Sequence, residues 1–400
     1  LLTSVNIPSG VTSIEPDTLR ACYMLMSVNI PSGVTSIGSG AFSYCNALTS
    51  INIPSGVTSI GSNAFYGCSG ITEVSIPQYV SQLYTTFPDA YFKISKVALV
   101  GNWTDTNTNN FYGCSALTNI DIPNGVTGIG NGSFAGCRSL TSINLPSGVT
   151  SIGSGAFGDC SALTSIGIPA TVTSIGNYAF IRCSALTSIN IPSGVASISD
   201  GTFNGCNTLT SINIPSGVTS IGASAFYECR ALASIIIPSG VTSIGDSALY
   251  GCDALTSINL PGTVTSIGSN AFLGCSSVTE VSIPPSVTLM YVTFQSAYTK
   301  ITKVSLVGNW TSIGSTVFNG CSAITDVSIP PCATKLSTVF PNTYSKITKV
   351  SLVGNWTSIG TSAFSGCSAL ANIDIPATVN YIGPTAFYNC RALTSINIPS

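Results

Sequence analysis

Cysteine recurs at a fixed interval along this 400-residue chain. Fourteen of the 15 cysteines fall on one position of a 23-residue period, and Cys332 stands apart from them. The periodic cysteines are Cys22, Cys45, Cys68, Cys114, Cys137, Cys160, Cys183, Cys206, Cys229, Cys252, Cys275, Cys321, Cys367 and Cys390. A row of thiols can form disulfides or bind a metal, provided that the chain brings the sulfur atoms to the right geometry. Their chemistry therefore depends on the structural unit that repeats.

The 23-residue period defines that unit. Counted from Leu2, 17 full repeats run without insertion or deletion to residue 392, and eight further residues begin another repeat. Leu1 corresponds to the last position of a preceding repeat. A period of this length is typical of a solenoid. We therefore expect one continuous solenoid over residues 1–400, with partial repeats at both ends, that is a segment of a longer protein.

The repeat at residues 48–70, LTSINIPSGVTSIGSNAFYGCSG, shows the local structure that the period predicts. Ile51 and Ile53 lie on one face of a short strand, because side chains alternate along a strand. Pro54 ends that strand, since proline cannot donate to a ladder. The apolar spacing in AFYGC, which includes Cys68, is that of a single helical or 3₁₀ turn. One repeat cannot enclose these side chains, but stacked neighbours can.

The LxxIxIP strand, the VTSIG turn and the AFxxC segment resemble the leucine-rich repeats of the Treponema or BspA type, found in bacterial and protist surface proteins. The resemblance extends over essentially the whole chain. It implies an α/β repeat fold: a right-handed leucine-rich-repeat solenoid with a parallel β-sheet on the concave face, and with short helical or 3₁₀ turns and loops on the convex face. It also implies an adhesin or a protein of unknown role.

Stacking in register favours packing as the role of the cysteines. Neighbouring Cα atoms would lie about 4.8 Å apart, but parallel side chains leave the sulfur atoms side by side and unbonded. A zinc site needs four ligands that converge on a point, which a row does not provide. We therefore predict buried free thiols, with no metal and no cofactor.

Four departures from the cysteine pattern bear on this prediction. Tyr91, Tyr298 and Tyr344 replace the cysteine in three repeats, which favours filling of space over thiol chemistry. Cys332, in PPCATK, occupies a position where other repeats have the turn glycine. It is the one thiol that we expect to be accessible.

Three two-repeat modules differ in concert from the other repeats, at residues 71–116, 278–323 and 324–369. Each begins TEVSIP or TDVSIP, has tyrosine in place of cysteine, and continues into ISKVALVGNW or ITKVSLVGNW. Their strands carry charges at one repeat position, so that Glu73 and Lys96 stand as cross-strand neighbours. Each such pair is worth at most about 1 kcal/mol. The pairs either fix the register of the strands or contact a ligand.

The outward strand positions form the candidate ligand surface. It is mostly uncharged and rich in asparagine, which would suit sugars or extended peptides better than nucleic acid. Its members are Asn52, Glu73, Lys96, Asn119, Asp121, Asn144, Asn190, Asn213, Asn259, Glu280, Lys303, Asp326, Lys349, Asn372 and Asp374.

Trp103, Trp310 and Trp356 replace an inward valine, so that a place in the core is favoured over an exposed platform for sugar stacking. Glycosylation sequons place a possible glycan on four asparagines if the source is a secretory eukaryote. These are Asn102, Asn131, Asn309 and Asn355.

Composition excludes several classes of function. Charged residues make up only 6% of the chain and the net charge is -2, so the chain has no basic surface for nucleic acid. Histidine is absent, which removes the commonest general base and metal ligand. No apolar run of about 20 residues predicts a membrane span within this segment. The 14 carboxylates are scattered and no phosphate loop is present, so we predict no catalysis.

These observations favour a cell-surface or secreted interaction protein, with adhesin-like binding to proteins or glycans of a host, a matrix or neighbouring cells. The alternative is a self-associating structural component of a surface layer, sheath or filament, favoured by near-identical repeats. A remote third hypothesis is that the regular Thr and Ser rows bind ice or another lattice.

Overall fold

The computed structural model describes residues 2–288 and 290–397. The chain forms two compact units, Leu1–Leu209 (unit 1) and Thr210–Ser400 (unit 2). In each unit parallel strands pair with the equivalent strand of the next repeat, as Ser50 does with Glu73 and Ser257 with Glu280. The predicted solenoid of parallel strands is therefore confirmed. The single continuous solenoid over residues 1–400 stays a prediction, and Leu1 and residues 398–400 of the partial repeats lie outside the described residues.

The strands of unit 1 are β1 (Ser4–Asn6), β2 (Ser13–Ile14), β3 (Ser27–Asn29), β4 (Ser36–Ile37), β5 (Ser50–Asn52), β6 (Ser59–Ile60), β7 (Glu73–Pro77), β8 (Lys96–Val100), β9 (Asn119–Ile120), β10 (Gly128–Ile129), β11 (Ser142–Asn144), β12 (Ser151–Ile152), β13 (Ser165–Gly167), β14 (Ser174–Ile175) and β15 (Ser197–Ile198). Those of unit 2 are β16 (Ser211–Asn213), β17 (Ser220–Ile221), β18 (Ser234–Ile236), β19 (Ser243–Ile244), β20 (Ser257–Asn259), β21 (Ser266–Ile267), β22 (Glu280–Ile283), β23 (Lys303–Leu306), β24 (Asp326–Ile329), β25 (Lys349–Leu352), β26 (Ser358–Ile359), β27 (Asn372–Asp374), β28 (Tyr381–Ile382) and β29 (Ser395–Asn397). The helices are α1 (Leu83–Thr86), α2 (Met290–Thr293) and α3 (Leu336–Val339), with 3₁₀ helices at Tyr91–Lys93 and Tyr344–Lys346.

Each typical repeat contributes a first strand with one buried face. In β5 the side chains of Ser50 and Asn52 are exposed and that of Ile51 is buried, as the alternation predicts. Ile53, just after the strand, is fully buried, and its N–H donates to the Ser75 carbonyl at 2.9 Å. The inward side chains of the first strands therefore form part of the hydrophobic core.

The VTSIG segment is a strand and not only a turn. β4 and β6 pair in register, Ser36 with Ser59 and Ile37 with Ile60, and the Thr58 N–H donates to the Thr35 carbonyl at 2.9 Å. A second parallel ladder therefore stacks beside the first. The glycine that follows permits the close approach of neighbouring repeats, because a Cβ on Gly61 would overlap the backbone nitrogen of Ser39.

The third side of each typical repeat is a series of turns held to the next repeat. The Phe42 N–H donates to the Ala64 carbonyl at 2.9 Å, so that these hydrogen bonds run between repeats and not along a helix. Behind them the phenylalanines stack: the rings of Phe42 and Phe65 are 5.3 Å apart and within 1° of parallel. Phe134 and Phe157 repeat the geometry at 5.4 Å and 3°. Ring stacking adds about 0.5–1.5 kcal/mol per pair beyond the area buried.

The cysteines are free thiols. Twelve of the fourteen periodic cysteines are buried, while Cys22 and Cys390 are half-buried, so the predicted packing role is confirmed. The structure adds a hydrogen bond that the sequence did not predict. The Cys183 thiol donates to the Phe157 carbonyl at 3.1 Å, and the Cys160 thiol donates in the same way to the Phe134 carbonyl at 3.1 Å. The space that each buried cysteine side chain fills, which we call the cysteine slot, therefore selects a small apolar group that carries one hydrogen-bond donor.

Burial also changes the acidity of these thiols. It raises the pKa of Cys160 from the ordinary value of 9.0 to about 12, because the charged thiolate would lose its hydration. The same cause raises the pKa of Cys206 and of Cys275 to about 12. At neutral pH the buried thiols are protonated and unreactive.

The expectation that tyrosine fills the cysteine slot is wrong. Tyr91, Tyr298 and Tyr344 are half-buried, and the residue before each is the one that is buried: Ala90, Ala297 and Thr343. Each ring instead covers a glycine of the next repeat, because a Cβ on that glycine would lie within about 3 Å of ring Cε2. The glycines are Gly113, Gly320 and Gly366. Tyr91 and Tyr344 begin 3₁₀ helices and Tyr298 lies in a turn, and these backbone conformations turn the tyrosine out of the slot.

The tryptophans were predicted to lie in the core. Trp103 and Trp356 are only 1% and 2% exposed, which confirms the prediction for these two. Their indole N–H groups donate to the carbonyls of Val100 and Val353, both at 3.1 Å. Trp310 is half-buried.

We predict that the stability of the fold decreases in alkali through its buried thiols. The folded pKa of Cys160 is raised, so this thiol contributes its stability in full below pH 9 and loses it as the pH rises towards 12. The loss approaches about 1.4 kcal/mol per pH unit. Urea titrations between pH 8 and pH 11 (roughly the range of thiol ionisation) should show a smaller loss of stability in Cys160→Ala than in the unmodified chain. Cys160→Ser, which also lacks an ionisable thiol, should match Cys160→Ala, and equal slopes in all three proteins would contradict the assignment.

We predict a strong size limit in the cysteine slot. Cys183→Ala removes the sulfur and its hydrogen bond, and should lower the free energy of unfolding by about 1–2 kcal/mol. Cys183→Tyr should lower it by about 3 kcal/mol or more, or prevent folding, because the slot cannot expand. Asn204→Tyr is the matched control, since that half-buried turn position is tyrosine in other repeats, at Tyr227 and Tyr250. Thermal and urea unfolding measure all three, and a Cys183→Tyr protein as stable as Cys183→Ala would refute the limit.

We predict that thiol reactivity separates the cysteines by burial. Cys332 was expected to be the one accessible thiol, but the structure does not single it out, because Cys22 and Cys390 are half-buried as Cys332 is. In native protein at pH 8 an aromatic disulfide reagent should titrate these thiols, and Cys332→Ser should remove one equivalent. The twelve buried thiols should react only in denaturant. Reaction of all 15 thiols in the native protein would contradict the burial described here.

Candidate binding face

The outward residues of the first strands form a surface that we call the strand face. Because each strand pairs in register with that of the next repeat, equivalent side chains of neighbouring repeats stand next to one another, as do Ser142 with Ser165 in unit 1 and Ser211 with Ser234 in unit 2. The first and third side chains of β11 and of β16 are exposed, while the middle side chain of each strand is buried. The strand face is thus a regular array of small polar groups on parallel, in-register strands.

The structure places the predicted surface residues on the first strands, except that Asn190 lies outside the strands and Asp121 directly follows β9. All are exposed except Lys303 and Asp326, which are half-buried. Their assignment as a ligand surface stays a prediction. The four sequon asparagines, Asn102, Asn131, Asn309 and Asn355, are exposed outside the strands.

Charged residues interrupt the strand face of unit 1 at the first module. Lys96 Nζ lies 3.5 Å from Glu73 Oε2, across the ladder that joins β7 and β8. Both side chains are more than half exposed. The next strand continues the row with Asn119, and Asp121 lies two residues further along the chain. Glu73, Lys96, Asn119 and Asp121 line one open cleft of about 640 Å³.

The strand face of unit 2 carries a longer charged row with alternating signs. Ladder partners follow one another from Glu280 to Lys303, to Asp326 and to Lys349. Lys303 Nζ lies 3.0 Å from Glu280 Oε2, and Lys349 Nζ lies 3.9 Å from Asp326 Oδ2. The hydrogen bond to Glu280 is the main cause that raises the pKa of Lys303. The predicted ion pairs are therefore present. That they fix the register of these strands, and do not serve to contact a ligand, stays a prediction.

The asparagines of the strand face recur at the 23-residue repeat spacing, but they form a less continuous row than that spacing implied. Asn29 Nδ2 donates to Asn6 Oδ1 at 2.7 Å, as stacked amides can. Elsewhere Gly167 is the ladder partner of Asn144, and Ile236 is the partner of Asn213. Ile236 is 75% exposed on this polar surface. The sequence analysis missed it, although SIIIP in place of SINIP was a visible signal.

A cluster of four aromatic residues was also missed. Tyr84 lies near Tyr91 and Tyr112, with ring centroids 6.3 Å and 6.1 Å apart, and Phe92 packs against Tyr91 at 5.5 Å. Phe92 and Tyr112 are 43% and 51% exposed. The other two modules have Thr, Ser and Asn at the positions of Phe92 and Tyr112, so comparison of the modules could have found the cluster.

Two findings concern metals and membranes. Within residues 2–288 and 290–397, no group of three or more Cys, Asp or Glu side chains has the geometry to hold a metal ion. Over the same described ranges, none of the helices has the length and hydropathy to cross a bilayer.

Comparison with known proteins supports the repeat assignment. The family described as BspA type leucine rich repeat region (6 copies) matches residues 1–117, 104–230, 196–296 and 291–400. A search of curated proteins finds no match.

Solved structures with similar chains include three bacterial proteins. A leucine-rich repeat protein from Bacteroides ovatus is 26% identical over 98% of this chain and 86% of its own, with a TM-score of 0.48. One from Eubacterium ventriosum is 27% identical over 69% of this chain and 83% of its own, with a TM-score of 0.45. A leucine rich cell surface protein from Faecalibacterium prausnitzii is 26% identical over 99% of this chain and 88% of its own, with a TM-score of 0.35.

The family matches span the whole sequence and agree with the parallel, in-register stacking of repeats seen in both units. The chain belongs to the BspA-type leucine-rich-repeat family.

Proposed function

We propose that this chain is a cell-surface or secreted interaction protein whose strand face binds a protein or glycan of a host, a matrix or a neighbouring cell. The observation that carries the proposal is the strand face itself. It is an exposed, regular and mostly uncharged array, and the sequence departs from the repeat pattern at only a few positions on it. Membership of the BspA-type family agrees with a role in interaction.

The low charge of the chain supports a strand face that binds its partner through direct contacts and not through long-range electrostatic attraction. With so few charged side chains and a net charge of -2, the chain has little field to steer a charged partner. Affinity must then come from hydrogen bonds and from buried apolar contacts at a few positions. Ile236 is such a position, because three quarters of its surface is in water in the free protein.

The direct test is binding of the purified chain to arrays of purified matrix proteins and of glycans. We expect a ligand on one of these arrays, bound through the strand face. No binding on either array would contradict the proposal. Binding that is unchanged by substitutions on the strand face, but lost when turn residues are substituted, would also contradict it.

We predict that Ile236→Asn, which restores the residue of the neighbouring strands, weakens that binding without unfolding the protein. Burial of an isoleucine side chain contributes about 1.5–3 kcal/mol, so the affinity should fall about tenfold or more. Surface plasmon resonance with the array ligand measures the change. Tyr178→Asn is the matched control, because Tyr178 is an exposed apolar residue away from the strand face. Equal affinities of Ile236→Asn and the unmodified chain would remove Ile236 from the binding surface.

A further inference from the structure

The single module of unit 1 and the two consecutive modules of unit 2 are each followed by a strand that begins the same three-residue sequence. In unit 1, β9 and the residue after it read Asn119-Ile120-Asp121, directly after the module at 71–116. In unit 2, β27 reads Asn372-Ile373-Asp374, directly after the module at 324–369. We call these two positions the module exits. The same three residues therefore follow a lysine-bearing strand once in each unit.

The parallel ladder shortens at both module exits. β7 and β8 share five register pairs, but β8 and β9 share only two, which end at Val97 and Ile120. β24 and β25 share four pairs, but β25 and β27 share only that of Lys349 with Asn372. The ends of β8 and β25 thus extend beyond the ladder to the next strand. Backbone groups of these strand ends, which have no register pair with the next strand, are suited to main-chain hydrogen bonds with an added peptide.

In unit 1 this step lies in the open cleft of about 640 Å³. Its lining includes Ala98 and Leu99 of β8, and Asn119 and Asp121 of the next repeat. Leu99 is half-buried, which leaves apolar surface between the polar groups. None of the lining residues is aromatic. Sugar rings stack on aromatic side chains, so this lining favours an extended peptide over a glycan.

The charges at the module exits are unbalanced. Lys96 is paired with Glu73, and Lys349 is paired with Asp326. Asp121 and Asp374 are exposed, and among the described residues neither lies within 4.0 Å of a cationic group. Each exit therefore has one carboxylate in excess of its ammonium groups. A planar carboxylate is the partner that a guanidinium group binds through two parallel hydrogen bonds.

We propose that each module exit binds an arginine side chain presented by an extended segment of a partner protein. The carboxylates of Asp121 and Asp374 accept hydrogen bonds from the guanidinium. The neighbouring amides of Asn119 and Asn372, with the free ends of β8 and β25, hydrogen-bond the main chain of the segment. This inference rests on the proposed function, since it names the chemistry that the strand face recognises, and it gives one site to each unit.

The test uses a synthetic peptide, acetyl-Thr-Val-Arg-Val-Thr-amide, titrated into the full chain at low ionic strength by calorimetry. A peptide with citrulline in place of arginine is the neutral isostere, and a cello-oligosaccharide is the glycan probe. We expect the arginine peptide to bind at two sites, with an affinity that falls as salt is added. Asp121→Asn and Asp374→Asn should each remove one site, through a loss of about tenfold or more in affinity.

A transplanted carboxylate is the matched control. Asn144→Asp places an aspartate at the same strand position in a repeat that does not follow a module. It should not add a site, because the long lysine-bearing strand is missing beside it. A third site in Asn144→Asp would show that any carboxylate on the strand face is sufficient, which would overturn the role of the module exits.

The other outcomes are equally decisive. Equal binding of the arginine and citrulline peptides, or binding unchanged in the Asp121→Asn/Asp374→Asn double variant, would overturn the inference. Binding of the oligosaccharide that is lost in the double variant would replace the peptide by a glycan. If array ligands bind through Ile236 while the double variant behaves as the unmodified chain, the proposed function stands and the inference about the module exits fails.

Discussion

The structure depends on the stacking of identical side chains from one repeat onto the next. A phenylalanine ring packs on the phenylalanine of the next repeat, and a cysteine thiol donates to a carbonyl group of the previous one. Both contacts need the same register, because a shift by one residue would turn the inward side chains outward. This shared requirement explains why repeats follow one another to residue 392 without insertion.

The modules show what happens when this register is kept but the contacts change. A helix replaces the series of turns, the tyrosine leaves the cysteine slot, and its ring covers a glycine in the following repeat. Gly113 has a backbone φ of 72°, which glycine adopts without strain, and it has no side chain to displace the ring of Tyr91. Typical repeats also have glycine at this position, as at Gly67 and Gly136, so the change that sets a module apart here is the tyrosine together with the helix.

The strand face is where this chain can vary without loss of its core. Inward residues of the first strands are buried, so that their identity is limited by packing. Outward residues are in water and are limited mainly by their cross-strand neighbours. Charges, an exposed isoleucine, and the Asn and Asp side chains of the two Asn-Ile-Asp segments occur on this side. A solenoid of uniform repeats thus gains local differences without a change of fold.

The resemblance to BspA-type repeats implied the parallel strands, while the sequence by itself determined the period, the burial of the thiols and the ion pair of Glu73 with Lys96. The last three follow from local alternation and from the repeat spacing, both of which can be counted along the chain. Only the tertiary structure decided the second ladder at β4 and β6, the thiol donation to carbonyl groups, the outward place of Tyr91 and the cleft at Asp121. Each of these depends on distances between neighbouring repeats and on the backbone conformation at turns, and residue spacing along the chain does not specify either.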